Sequence, residues 1–159
     1  MNLTIEPLLP THYPAVRRIY EEGLATGFAT FETQSLDWAA WDEKYLPSCR
    51  FVALLEGEVV GWVALTPYSK REVYRGVGEL AIYIAEKCRS KGVGRALLQH
   101  QIEAARYAGF WTLQAVIFAE NSASIRLHEA AGFRLVGVRE RIAQRNGIWH
   151  DNVLMELRM

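Results

Sequence analysis

Hydrophobic and polar positions along the chain change period several times, and each change marks an element. Leu3-Thr4-Ile5-Glu6-Pro7-Leu8 alternates and predicts a first strand. From Pro10 and Thr11 the spacing turns helical. Tyr13, Val16, Ile19, Tyr20 and Leu24 share one face, and Gly23 and Gly27 are expected to end that helix. Residues 27–33 mix small, polar and aromatic side chains and read as a loop. Ser35 or Asp37 can cap a second helix through about Leu46, where Pro47 stops it. Two apolar runs, Phe51 to Leu55 and Val59 to Leu65, flank the turn Glu56-Gly57-Glu58 and predict a hairpin.

A polar loop from Pro67 to Gly76 leads into residues 78–85, a nearly continuous apolar strand that holds one charge, Glu79. A glycine-rich turn and a long helix over about residues 92–108 follow. Thr112 to Phe118 reads as another buried strand, and Asn121 or Ser122 caps a helix that ends at Gly132. Residues 134–158 predict two strands around Asn146-Gly147, a strong hairpin turn. The expected order is β-α-α-β-β-β-α-β-α-β-β: an α/β chain whose mixed sheet begins antiparallel and gains a βαβ crossover. No repeat, low-complexity tract or linker interrupts it, so one domain spanning residues 1–159 is expected.

Composition narrows the function classes. Half of the 159 residues are hydrophobic and 23% are charged, the balance of a globular protein. Lys plus Arg and Asp plus Glu both total 18, so net charge gives no support for nucleic acid or an anionic membrane as partner. Cys49 and Cys88 lie in no CxxC pair and no secretory pattern opens the chain, which predicts reduced thiols and a cytoplasmic location. No apolar run approaches the ~20 residues of a membrane helix. The four histidines show no HExxH or paired spacing, so no metal is expected.

An anion site must therefore be built locally, and Arg89-Ser90-Lys91-Gly92-Val93-Gly94-Arg95 can build one. It joins a buried strand to a helix. Gly92 and Gly94 permit backbone turns that aim successive N–H groups at one point. The helix adds its unpaired first amides and the positive end of its dipole. Arg89, Lys91 and Arg95 add full charge. A glycine-rich turn with solvated cations is the plainer reading of GxG alone; the three cations between strand and helix favour a phosphate or pyrophosphate receptor. A dinucleotide fingerprint would want a small residue where Leu97 stands, and a Walker loop would want Gly-Lys-Ser/Thr, whereas Lys91 precedes its glycine.

Arg89-Ser90-Lys91-Gly92-Val93-Gly94 resembles the coenzyme A pyrophosphate motif of the GNAT acetyltransferase superfamily, and Asn121 through Phe133 resembles its second signature. The element order agrees over nearly the whole chain. Ala29 to Thr33, Glu79 to Ile84 and Gly147 to Asp151 are similar to the phosphinothricin and methionine sulfoximine/sulfone acetyltransferase branch. The resemblance implies the GNAT acyl-CoA N-acyltransferase fold, with a bulge in the strand before the cradle and splayed central strands. It also implies acetyl-CoA as co-substrate, a small amine as partner, and a homodimer. The backbone of Ile82, Tyr83 and Ile84 would bond the pantetheine arm. Residues Arg89, Ser90, Lys91, Gly92, Val93, Gly94 and Arg95 would hold the pyrophosphate, and Asn121 and Ser124 the far side of the cofactor.

An amine attacks a thioester only when unprotonated, and an α-amine has a pKa of about 7.7 or higher, so such a site needs a proton acceptor. Glu79, the lone carboxylate of its strand, is the expected base, chiefly because the resemblance places a carboxylate there; the plainer reading is a strand-end glutamate that reaches solvent or pairs with Arg75. Many GNAT enzymes carry tyrosine where this chain has His128. The imidazole can donate or relay a proton, or it can be a packed helix histidine; both readings stand at this level. The ring of Tyr83 is a poorer acid. For the acceptor, Phe31, Glu32, Tyr74 and Arg75 are expected near the cleft, with Arg75 on a carboxylate and Glu32 on an ammonium. Arg71 reads as ordinary loop charge. Trp149 and His150 fit a site wall, a dimer contact or core. The competing functions are acetylation of a protein N-terminus or an aminoglycoside, and a non-catalytic coenzyme A sensor.

Overall fold

The computed structural model describes residues 2–159. Its strands are β1 (Leu3–Pro7), β2 (Phe51–Leu55), β3 (Glu58–Pro67), β4 (Val77–Ile84), β5 (Thr112–Phe118), β6 (Arg134–Arg145) and β7 (Ile148–Arg158). Its helices are α1 (Tyr13–Thr26), α2 (Trp38–Lys44), α3 (Val93–Tyr107) and α4 (Ser122–Ala130). The predicted order holds, with short 3-10 turns at Pro10–His12, Glu72–Tyr74 and Glu86–Cys88.

All seven strands join one mixed sheet in the order β1-β2-β3-β4-β5-β7-β6. β4 and β5 are parallel because α3 carries the chain back across the sheet, and every other neighbouring pair is antiparallel. β3 is buried without a break from Val59 to Leu65, since both of its faces are covered. On one face the Trp62 ring meets Tyr20 of α1 and Trp41 of α2 at 6.3 and 5.5 Å. On the other, Gly61 lies against Leu97 of α3. A continuous apolar run is the expected signature of such a doubly covered strand.

Local chemistry fixes the ends. The Asp37 carboxylate accepts from Ala40 N–H at 2.9 Å and starts α2, which stops two residues short of the expected Leu46. Gly27, at φ +83°, ends α1 in the left-handed conformation that glycine adopts without strain. Gly23 does not end the helix. It is buried inside α1, and a Cβ there would stand 2.8 Å from the Tyr83 ring. The glycine is needed for space rather than for a turn.

The feature that positions the site is the seam between β4 and β5. β4 pairs with β3 in unbroken register from Pro67↔Gly78 to Gly61↔Ile84, so the expected bulge in β4 is absent. Its pairing with β5 covers only Val77↔Thr112, Gly78↔Leu113 and Glu79↔Gln114. Beyond Glu79 the strands part, and β5 continues along β7 as far as Phe118↔Asn152. The gap arises by divergence of two regular strands, which needs no extra residue in either one. One edge of β4, from Leu80 to Ile84, thereby loses its ladder partners to the gap, and backbone groups in that state require another partner.

Candidate active site

A cavity of about 890 Å3 follows the gap. Leu80 through Ile84 form one wall, and Ala115 through Phe118 form the other. At one end lies the turn before α3, where Arg89, Ser90, Gly92, Gly94 and Arg95 face the cavity. Ser90 and Gly92 sit at φ +62° and +85°, two left-handed turns that fold the backbone around a point. Gly92 is the N-cap of α3 and offers no side chain, and no side-chain hydrogen bond caps this helix. The first amides of α3, on Val93, Gly94 and Arg95, are therefore left for a ligand. Arg89 donates from Nε to the Ile84 carbonyl at 3.2 Å, which ties the cradle to the end of β4. Lys91 is exposed just outside the cavity wall, and the Val93 side chain is buried in the core. Those two can serve only through field and backbone.

α4 also lines the cavity, and its Leu127 lies against Gly94 of the cradle. Asn121 and Ser124 both line it, yet the Asn121 carboxamide oxygen already accepts from Ser124 N–H at 3.2 Å as the helix N-cap. Asn121 thus shapes the wall while its Nδ2 group stays available. His128 is 2% exposed, and its Nδ1 meets the Ser124 carbonyl at 2.7 Å. A carbonyl only accepts, so Nδ1 carries the proton and Nε2 carries a lone pair. That Nε2 is buried and unpartnered. Burial among apolar groups lowers the His128 pKa below its ordinary 6.5, so the ring is neutral at pH 7. This geometry makes the ring a proton acceptor or hydrogen-bond acceptor toward the cavity, rather than a ready acid.

Glu79 lines the cavity at the apex of the gap, in the last pair before the strands diverge. Its Oε1 accepts from Gln114 Nε2 at 2.8 Å, and Arg75 pairs with Glu72, so the alternative pairing of Glu79 with Arg75 does not occur. The tie holds one carboxylate oxygen and leaves the other to accept a bond. Tyr83 stacks on Trp62 at 5.1 Å and meets Tyr20 edge-on at 5.0 Å, and burial raises its pKa. Its ring packs, and its phenol stays protonated at any working pH.

The residues expected to meet the acceptor separate into two groups. Phe31 and Glu32 line the cavity, with the Phe31 ring 4.4 Å from that of Phe118. Arg145 of β6 holds their loop by donating to the Leu24 and Glu32 carbonyls at 2.9 and 3.4 Å. Tyr74 and Arg75 are exposed and lie outside the cavity lining. Arg75 reaches Glu72 at 3.8 Å and covers the Trp111 ring at 5.4 Å, so its guanidinium is engaged elsewhere. Trp149 is exposed beside Arg141, and His150 bonds Glu120 at 2.9 Å; neither lines the cavity.

Several cavity residues escaped the sequence reading, Gln114, Asn152 and Lys44 among them. Gln114 positions Glu79, Asn152 on β7 faces the cavity, and Lys44 stands at its rim. Asn152 is 9% exposed, with a buried Oδ1 that has no hydrogen-bond partner. Gln114 is a polar residue in an apolar strand, the same signal that singled out Glu79, whereas Asn152 follows two other polar residues, His150 and Asp151, and does not stand out. Lys44 carried no such signal, because a lysine near the end of a surface helix is ordinary.

The chain matches the model of the Acetyltransferase (GNAT) family over residues 13–133 and belongs to that family. It is an N-acetyltransferase. It is 31% identical over 165 residues to an L-methionine sulfoximine/L-methionine sulfone acetyltransferase of Pseudomonas paraeruginosa, covering 100% of this chain and 96% of the relative. A phosphinothricin acetyltransferase from Sinorhizobium meliloti, solved in complex with AcCoA, superposes with a TM-score of 0.90 at 28% identity, covering 100% of this chain and 89% of the other. A ribosomal-protein-alanine N-acetyltransferase from Brucella melitensis superposes with a TM-score of 0.90 at 31% identity, covering 98% of this chain and 99% of the other.

Proposed function

We propose that this chain, acting as one domain over residues 1–159, transfers acetyl from acetyl-CoA to the α-amine of a small amino-acid-like acceptor of the methionine sulfoximine, methionine sulfone or phosphinothricin type. The observation that carries it is the gap between β4 and β5, which begins at a carboxylate and leads to an uncapped helix N-terminus flanked by arginines. The residues there fit coenzyme A: the free amides of α3 with Arg89 and Arg95 suit a pyrophosphate, and the bare edge of β4 at Ile82, Tyr83 and Ile84 suits the amides of pantetheine. Asn121 and Ser124 close the opposite side.

Glu79 takes the proton from the incoming ammonium, directly or through one water, and Gln114 keeps the carboxylate aimed. The free amine attacks the thioester carbonyl carbon, a C–N bond forms, and the C–S bond breaks. Backbone N–H groups of β4 face the carbonyl oxygen as it gains charge. His128, neutral, accepts a hydrogen bond at Nε2 and so orders the water or amine beside it. The coenzyme A thiolate leaves and takes up the proton that the attacking nitrogen sheds as the amide forms. Phe31 and Glu32 bound the acceptor's end of the cavity.

The likeness to a ribosomal-protein-alanine N-acetyltransferase supports a second reading, acetylation of a protein N-terminus. A thiol-release assay with acetyl-CoA separates the two. Free amino acids and their sulfone and sulfoximine analogues are expected to turn over at least tenfold better, by kcat/KM, than peptides beginning with alanine. The reverse order would favour the second reading. We also place the enzyme in the cytoplasm as a homodimer. Two unpaired buried cysteines suit a reducing compartment, and the apolar side chains of Leu135, Val138, Ile142 and Ile148 stand exposed on the outer hairpin.

A further inference from the structure

None of residues 147–151 lines the cavity, although Gly147 to Asp151 is similar to the acetyltransferase branch. Asp151 pins this segment where β5 ends. Its carbonyl accepts from Ala119 N–H at 3.1 Å, and its carboxylate accepts from Arg141 N–H at 2.8 Å across the irregular stretch of β6. The pairing of β5 with β7 stops at Phe118↔Asn152. His150, two residues before Asn152, therefore projects from the same face of β7, just past the end of β5. Its ring lies 4.7 Å from that of Phe118 and 6.1 Å from that of Phe31, the latter close to edge-on at 73°. Since Phe31 itself lies 4.4 Å from Phe118, the three rings form one cluster. The His150 side chain is 11% exposed, and its Nδ1 lies 2.9 Å from Oε2 of Glu120, in the turn that follows β5. A carboxylate oxygen accepts, so Nδ1 carries the proton and the bond fixes the plane of the ring.

We infer that His150 is a positioning residue for acetyl transfer: held by Glu120, its ring braces Phe31 in the cavity wall and so governs affinity for the acceptor without touching it. The inference rests on the reading of Phe31 as part of the acceptor's end of the cavity. Phe31 belongs to residues 27–37, a stretch without helix or strand. Arg145 fixes that stretch by its main-chain carbonyls, whereas the Phe31 ring leans on Phe118 and His150. A side chain free to swing loses rotamer freedom when a ligand packs on it, and a ring already braced has lost that freedom beforehand. The brace therefore acts on acceptor binding. It does not act on proton transfer. Glu79 pairs with Gln114, and Phe118 stands four residues further along β5, roughly 13 Å away at the rise of a strand. His150 lies beyond Phe118, out of reach of the base.

The test is steady-state kinetics with acetyl-CoA and methionine sulfone, or with a peptide beginning with alanine if that is the better acceptor. His150→Ala should raise the acceptor KM at least tenfold, with kcat within threefold and the acetyl-CoA KM within twofold of wild type. His150→Phe restores a ring without the bond to Glu120, and should bring the acceptor KM back to within about threefold of wild type. Glu120→Ala should cost about the same threefold. The deciding measurement is a double-variant cycle. In a Phe31→Leu background, His150→Ala should change the acceptor KM less than twofold, because the brace has nothing left to hold. A role in packing alone would lower the melting temperature and give additive effects. If His150→Ala does not fold, Glu120→Ala in both backgrounds decides. An acceptor KM within twofold of wild type in His150→Ala, additive effects in the cycle, or an equal rise in the acetyl-CoA KM overturns the inference while leaving the transfer site standing. If no amine is acetylated although acetyl-CoA binds, both fall together.

Discussion

The two ends of the cavity are built on different plans. At the cradle, a run of seven consecutive residues supplies backbone amides and cations, and the recognising atoms are mostly main chain. At the acceptor end the same cavity is bounded by side chains from α1, α2, β3, β4 and the loop held by Arg145, residues far apart in sequence. The first plan suits a ligand that every member of a class must bind. The second can change its preference through single side chains while the donor site stays intact. Glu79, the base proposed above, lies where the two meet, in the last pair of the seam.

That contrast can be broken at four places. The largest effect is expected at Glu79. Glu79→Gln keeps the bond geometry with Gln114 but removes the base, so kcat should fall by about 10²–10⁴ while the Kd of acetyl-CoA stays within twofold. A sensor without catalysis would have no turnover for the substitution to reduce. Gly92→Val should do the converse. A β-branched residue at φ +85° costs roughly 1–3 kcal/mol, so acetyl-CoA binding should weaken about tenfold or more by calorimetry, with kcat at saturating donor much less affected.

Gln114→Leu should lower kcat about three- to tenfold through loss of one positioning hydrogen bond, without altering acetyl-CoA affinity. The smallest effect is on stability at His128. Its folded pKa is depressed by burial, so the unfolded chain binds the proton first as pH falls. The stabilising contribution of the neutral ring is complete above about 6.5 and is lost as pH falls from there through the folded value. Denaturant midpoints measured from pH 8 to 5 should decline in that window, and His128→Phe should flatten the decline. An unchanged slope in the variant would show that other groups carry it.

What could be seen in the chain beforehand follows the same division. The cradle was legible because seven adjacent letters contain it, and its helix and strand are marked by period. The strand limits of β5 match the sequence reading, since Thr112 to Phe118 is apolar and bounded on both sides. The swap of β6 and β7 in the sheet order was not legible, because a hairpin's pattern does not say which arm meets the sheet. Gly23 misled because a glycine near a helix end signals a terminus, and only the packed Tyr83 ring shows the need for space. Arg75 was assigned to a carboxylate by resemblance; its place over Trp111 depends on the fold of the whole loop, since Gly76 leaves room for that ring.

The short zipper between β4 and β5 has a mechanical consequence. Three residue pairs are all the ladder that joins the β1–β4 half of the sheet to the β5–β7 half. A donor lying across the opening would act as a rivet between the halves, holding the cradle side and the α4 side at a fixed spacing. Heat resistance should therefore climb with donor concentration as mass action dictates, and amide protons along β4 and β5 past Glu79 should exchange far more slowly once the rivet is in place.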